Sequence, residues 1–151
     1  MSQENVEIVR GAIGREMLTL QMSAAVTREV AMTDEDAVRA ATLDYIEGWF
    51  DGDAGRMERA LHPELMKRCR GIEGDDPDAL ETLSATEMID ATAAGEGRGE
   101  DAEDRQIEIK IEYLSGDIAS VTLLDHAYVD LLHLIRMPEG WRIVNAAWKL
   151  R

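Results

Sequence analysis

Two apolar runs close the chain, Tyr128-Val-Asp-Leu-Leu-His-Leu-Ile-Arg136 and Trp141-Arg-Ile-Val-Asn-Ala-Ala-Trp148, with Met137-Pro-Glu-Gly140 between them. β-Branched, aromatic and aliphatic residues flanking a Pro/Gly turn predict a β-hairpin. Both faces of this hairpin are largely apolar, so the sheet needs a cover on each side. The chain's own helices supply one cover, and a partner subunit is the expected other. Pairing Arg136 with Trp141 puts Leu134 opposite Ile143, Leu132 opposite Asn145 and Asp130 opposite Ala147. One face then carries Tyr128, Asp130, Leu132, Leu134, Trp141, Ile143 and Asn145. The other carries Val129, Leu131, His133, Ile135, Val144, Ala146 and Trp148.

Upstream the periodicity is helical. Val6, Val9, Ile13, Met17, Leu20 and Ala24 predict an amphipathic helix over 5–24, weakened by Gly11 and Gly14. A second helix opens at Thr33, an N-cap followed by Asp34, Glu35 and Asp36, and buries Val38, Ala41, Tyr45 and Trp49, with Ile46 and Phe50 widening the stripe. Asp51-Gly52-Asp53 ends it, and Asp53 can cap a short helix containing Met57, Ala60 and Leu61 that stops at His62-Pro63. Leu65–Cys69 fits a short strand, Gly71–Leu80 a polar turn region, and Ser84-Ala-Thr-Glu87 a capping box opening a helix to about Ala94. Gly95–Asp104 is too rich in glycine and acids to pack and reads as a mobile loop. From Gln106 the period is two: Ile107, Ile109, Ile111 and Tyr113 alternate with polar residues. The stretch Ile118–Arg136 is long for one strand and needs a bend or bulge near Asp125-His126. Helices first and strands last predict an α+β domain, with helices on one face of the sheet.

The 151 residues suit one domain. No run approaches the ~20 apolar residues of a membrane span, and the N-terminus lacks a secretory signal pattern. Cys69 is the sole cysteine, so an intrachain disulfide is impossible and a cytoplasmic location is expected. A net charge of −15 argues against nucleic acid. Twelve acids against one Arg fall between Glu73 and Asp104, a pattern that fits a solvated loop better than a cation site. Three scattered histidines and one cysteine offer no metal cluster, and no cofactor motif is present.

Tyr45-Ile-Glu-Gly-Trp-Phe-Asp-Gly-Asp53 and Met57-Glu-Arg-Ala-Leu-His-Pro63 resemble the "putative lumazine-binding" family of the nuclear transport factor 2-like superfamily, beside the polyketide cyclases and ketosteroid isomerases. Ser84–Ile89, Ile118-Ala-Ser-Val121, Tyr128–Leu132 and Gly140-Trp-Arg-Ile-Val-Asn145 continue the match in order. The resemblance covers about residues 33–150 and is specific for fold rather than reaction. It implies a cone-shaped α+β barrel, a curved antiparallel sheet wrapped around N-terminal helices, enclosing an apolar pocket and pairing into a homodimer through its outer face. Two departures stand out: Asn145-Ala-Ala147 replaces a frequent Asn-Lys-Val, and Leu131 replaces a frequent aromatic. The chain thus divides into a helical extension over 1–31 and the domain proper over 32–151. Met32 as the natural start is the alternative to that extension.

The resemblance turns the Trp141/Ile143/Asn145 face inward, toward Tyr45 and Trp49. Asp130 on that face must be protonated, hydrogen-bonded or functional, because an unpaired buried carboxylate costs several kcal/mol. A satisfied bond to Asn145, Tyr45 or backbone competes with an acid/base role. Tyr45 needs a partner for its hydroxyl and is the second catalytic candidate. Trp49, Tyr128, Leu132, Trp141, Ile143 and Asn145 are candidate ligand contacts, and His62 a secondary one beside its expected role at a helix C-terminus. His133 lies three residues from Asp130 on the opposite face, which excludes an Asp–His dyad within the strand. The expected function is a pocket for a small apolar ligand, with possible forms ranging from cofactor-free acid/base chemistry on a hydrophobic carbonyl compound to a dimeric assembly module with a vestigial pocket. A cavity of ~300 Å³ or more facing Asp130 separates the first from the second.

Overall fold

A computed structural model describes residues 31–71, 74–99 and 101–151. The helix expected over 5–24 lies outside the described residues. Helix α1 (Asp34–Asp51) begins as the sequence dictates: the Thr33 side chain accepts from the Asp36 amide at 3.1 Å, with three acids in the first turn. Gly52 ends it at φ 67°, a left-handed conformation that suits glycine, while its N–H reaches back to the last carbonyls. Asp53 then caps the short helix α2 (Ala54–Ala60) by accepting from Arg56 N. Helix α3 (Ala85–Ala93) opens on the predicted capping box, Ser84 accepting from Glu87 N and bonding its carboxylate, both at 3.1 Å.

The strands are β1 (Leu61–Arg70), β2 (Leu80–Ser84), β3 (Glu108–Ser115), β4 (Ile118–Leu124), β5 (Tyr128–Met137) and β6 (Gly140–Leu150). They form one open sheet in the order β2-β1-β6-β5-β4-β3. The expectation of an all-antiparallel sheet is corrected at its centre, where β1 runs parallel to β6. Parallel pairing follows from connectivity: the long excursion through β2, α3 and the β3–β5 meander separates β1 from β6. The helices cover one face, and Val38, Tyr45, Ile46, Phe50 and Met57 pack there with Leu65, Val121, Leu123, Leu132, Leu134 and Ile143.

Three local features depart from the sequence reading. The bend expected near Asp125-His126 is a full reversal: β4 and β5 are separate antiparallel strands, and Asp125 Oδ1 accepts from the Ala127 and Tyr128 amides at 2.8 Å to close the turn. Glu112 is bulged out of β3, so Tyr113 pairs with Ser120, points outward at 57% exposure, and leaves the inner face to Leu114. The segment after α3 packs in spite of its glycines. Gly97 lies against the Trp49 indole so closely that an added Cβ would sit 2.4 Å from a ring carbon. Overpacking of this kind costs ~1–3 kcal/mol. Gly97→Ala should therefore lower stability by about that amount in urea denaturation and shift Trp49 fluorescence, whereas Gly99→Ala, with open space around it, should leave the Trp49 signal alone.

Candidate functional site

The β5–β6 register decides what the site contains. Arg136 pairs with Trp141 and Leu134 with Ile143, as predicted, but Val144 is then bulged out and His133 falls opposite Asn145. Beyond this point the parity of β6 reverses. Asp130 pairs with Trp148 rather than Ala147, Ala146 turns into the core, and Asn145 is exposed on the outer face. The assignment of Asn145 to the inner face is thereby corrected, as are those of Ala146 and Trp148 to the outer face. A bulge leaves no hydrophobic signature when Val144, Ala146 and Ala147 can each serve on either side.

A cavity of about 550 Å³ opens between α1, α3 and the β1, β2, β5 and β6 strands. Of the candidates, Tyr45, Trp49, Tyr128 and Asp130 line it. Four others do not. Leu132 and Ile143 are inner-face residues buried in the core, while Trp141 sits away from the cavity with Nε1 donating to Asp34 Oδ1 at 3.3 Å. His62 directly follows Leu61, the C-cap of α2, as the second residue of β1, and its Nδ1 accepts from Glu64 N at 3.0 Å.

Sequence reasoning missed the central residue. Lys67 is buried, and β1 turns it inward between Leu65 and Cys69. The signal was present: if Leu65 and Cys69 share the core face of a strand, period two requires Lys67 to join them. The Lys67 ammonium donates to the Tyr45 hydroxyl and lies 3.5 Å from Asp130 Oδ1. Tyr45 in turn donates to the same Oδ1 at 2.9 Å. Lys67 Nζ also stands 4.8 Å from the Trp148 ring centre and 5.0 Å from that of Tyr45, where ring faces favour a cation. Burial first, and then the Asp130 carboxylate, hold the Tyr45 phenol well above its ordinary value, so at neutral pH it is a hydrogen-bond donor and not a phenolate.

This floor is not fully satisfied. An ammonium has three donors, and Lys67 finds oxygen acceptors for two, Tyr45 and Asp130, among the described residues. Trp148 Nε1 is also buried without an acceptor there. Trp49, Ile46, Leu83, Met88, Ala91, Tyr128 and Leu150 contribute apolar surface, while Glu81 and Glu96 add negative charge. Among the described residues no group of three metal-ligating side chains occurs.

Residues 33–149 match the family described as "Putative lumazine-binding". The chain belongs to that family. Its fold recurs in an NTF-2-like protein of unknown function from Silicibacter pomeroyi DSS-3, at 20% identity over 76% of this chain and 93% of that one, with a TM-score of 0.58. An NTF2-like protein of unknown function from Methylobacillus flagellatus KT is 20% identical over 82% and 96% of the two chains, with a TM-score of 0.57. A ketosteroid isomerase-like protein from Erwinia carotovora atroseptica SCRI1043 is 16% identical over 76% and 93%, with a TM-score of 0.51. Such likeness shows an NTF2-like, cone-like α+β fold and nothing finer. No curated protein matches the chain.

For this family member, removing one partner of the buried pair should be costly, because it strands the other charge. Asp130→Leu or Lys67→Met alone should each lose about 3–5 kcal/mol in chemical denaturation. The double variant Lys67→Met/Asp130→Leu should lose much less than the sum of its single changes. Additive losses would mean that the two side chains are not coupled.

Proposed function

We propose that the cavity binds a small, largely apolar molecule through a carbonyl or comparable acceptor atom. The observation that carries this reading is the third Lys67 donor, left without an oxygen partner at the floor of a 550 Å³ cavity. A buried donor without an acceptor is costly, and a ligand oxygen removes the cost. The aromatic and aliphatic walls suit an apolar body. The acids Glu81 and Glu96 disfavour an anionic ligand. The family's description as lumazine-binding fits a small cyclic ligand bearing carbonyl groups.

The chemistry such a site can perform is proton transfer. Lys67 polarises the ligand oxygen, while Asp130, bonded to both Lys67 and Tyr45, exchanges a proton with the ligand. The competing reading, an assembly module with a vestigial pocket, calls for a sealed interior, and the open cavity weighs against it.

2-Acetonaphthone, an apolar aromatic ketone, is a practical probe. It should quench tryptophan fluorescence saturably, and Ala91→Trp, which projects an indole into the cavity, should abolish that quenching while preserving the circular dichroism spectrum. Native mass spectrometry of protein as purified should show the wild type, but not Ala91→Trp, carrying a small molecule. Equal quenching and equal occupancy in both proteins would count against this cavity.

The same reading includes a second copy of the chain on the outer sheet face. Ile118 and Leu131, each 53% exposed, and Ile135 stand on adjacent strands β4 and β5, with Ile118 paired to Ile135. Adjacent exposed aliphatics of this kind favour association. Light scattering at micromolar concentration should give a dimer mass, and Leu131→Arg should shift it to monomer. A wild-type monomer would remove the dimer from the account.

A further inference from the structure

The floor of the cavity holds a primary amine beside a carboxylate, which allows more than hydrogen bonding. Resting on the carbonyl-ligand reading above, we propose that Lys67 condenses reversibly with an apolar aldehyde or ketone to form an imine, with Asp130 as proton acceptor and Tyr45 as the positioning donor.

Position argues for this first. Lys67 is buried, yet it lines the cavity, so a bound carbonyl carbon can approach Nζ from the open side while Tyr45 and Asp130 hold the amine from behind. An amine and a carbonyl held in contact react as if at very high concentration. Arginine could supply the same permanent charge but not the nucleophile. The chain has three lysines, Lys67, Lys110 and Lys149, and Lys67 is the buried one.

Charge argues for it second. Asp130 and the faces of Tyr45 and Trp148 stabilise one positive charge at Nζ. The ammonium passes a proton to the Asp130 carboxylate, and the freed lone pair attacks the carbonyl carbon. As the C–N bond forms, the carbonyl π pair moves to oxygen, which takes up that proton through the Tyr45 hydroxyl. The second nitrogen proton follows the same route, the C–O bond breaks, and the oxygen leaves as water. Nitrogen retains one hydrogen and the positive charge as a protonated imine facing Asp130. Net charge is the same before and after, so condensation creates no new buried ion, and the cation that Asp130 and the rings already hold is kept.

The test uses 2-naphthaldehyde with sodium cyanoborohydride, which reduces a protonated imine to a stable secondary amine. Intact mass and peptide mapping should show one naphthylmethyl group on Lys67, added on the order of tenfold or more faster than on Lys110 or Lys149. Ala91→Trp should block the label at Lys67. Lys67→Arg, which removes the nucleophile, should take up no label at that position while Lys110 and Lys149 are labelled as in the wild type. Quenching in the wild type with label confined to Lys110 and Lys149 would overturn the imine and leave the binding reading intact. Neither quenching nor label at Lys67 would overturn both.

Discussion

The site depends on one buried ion pair. Lys67 and Asp130 come from the distant strands β1 and β5, and each would be a severe liability without the other. Tyr45 from α1 bridges them, so helix, central strand and meander meet at a single polar contact. Most of the core around it is aliphatic and aromatic and tolerates changes that conserve volume. The pair does not: its geometry requires β1 beside β6, β6 beside β5, and Tyr45 of α1 bonded to both side chains.

The same pair explains the character of the cavity. A stability-only design would fill this end of the sheet with hydrophobic side chains, which often matches or exceeds a buried ion pair in stability. Here the apolar walls end in charged and hydrogen-bonding groups with a Lys67 donor to spare, an arrangement that suits a bound acceptor better than it suits a core. The tyrosine stays protonated and donates its hydrogen bond to the carboxylate, so the donor left without an oxygen partner at the floor is that of the Lys67 ammonium.

Much of the architecture was legible in the sequence because its signals are local. Thr33, Asp53 and Ser84 cap helices where their side chains predicted, and the Pro/Gly turn closes the β5–β6 hairpin at the predicted register. A buried carboxylate and a buried hydroxyl each demand a partner, and of the partners the sequence left open for Asp130, Asn145, Tyr45 or backbone, the structure supplies Tyr45. Bulges were not legible. Val144 and Glu112 each shift a strand by one residue, and that reverses the faces of Asn145, Trp148 and Tyr113. Strand β2 was hidden in an acidic, half-exposed stretch whose pairing comes from β1 rather than from its own pattern. Lys67 was readable in principle from the parity of Leu65 and Cys69, but a lysine in a short strand is ordinarily a surface residue.

The most direct measurement follows the Lys67 ammonium itself by nitrogen-15 NMR, with the three lysine side chains labelled. The exposed Lys110 and Lys149 act as internal references. Addition of 2-acetonaphthone should shift the Lys67 Nζ resonance saturably and leave the other two in place, because only Lys67 borders the cavity. An unmoved Lys67 signal at ketone concentrations that quench tryptophan fluorescence would contradict the account: a ligand would be bound, but not at the Lys67–Tyr45–Asp130 floor.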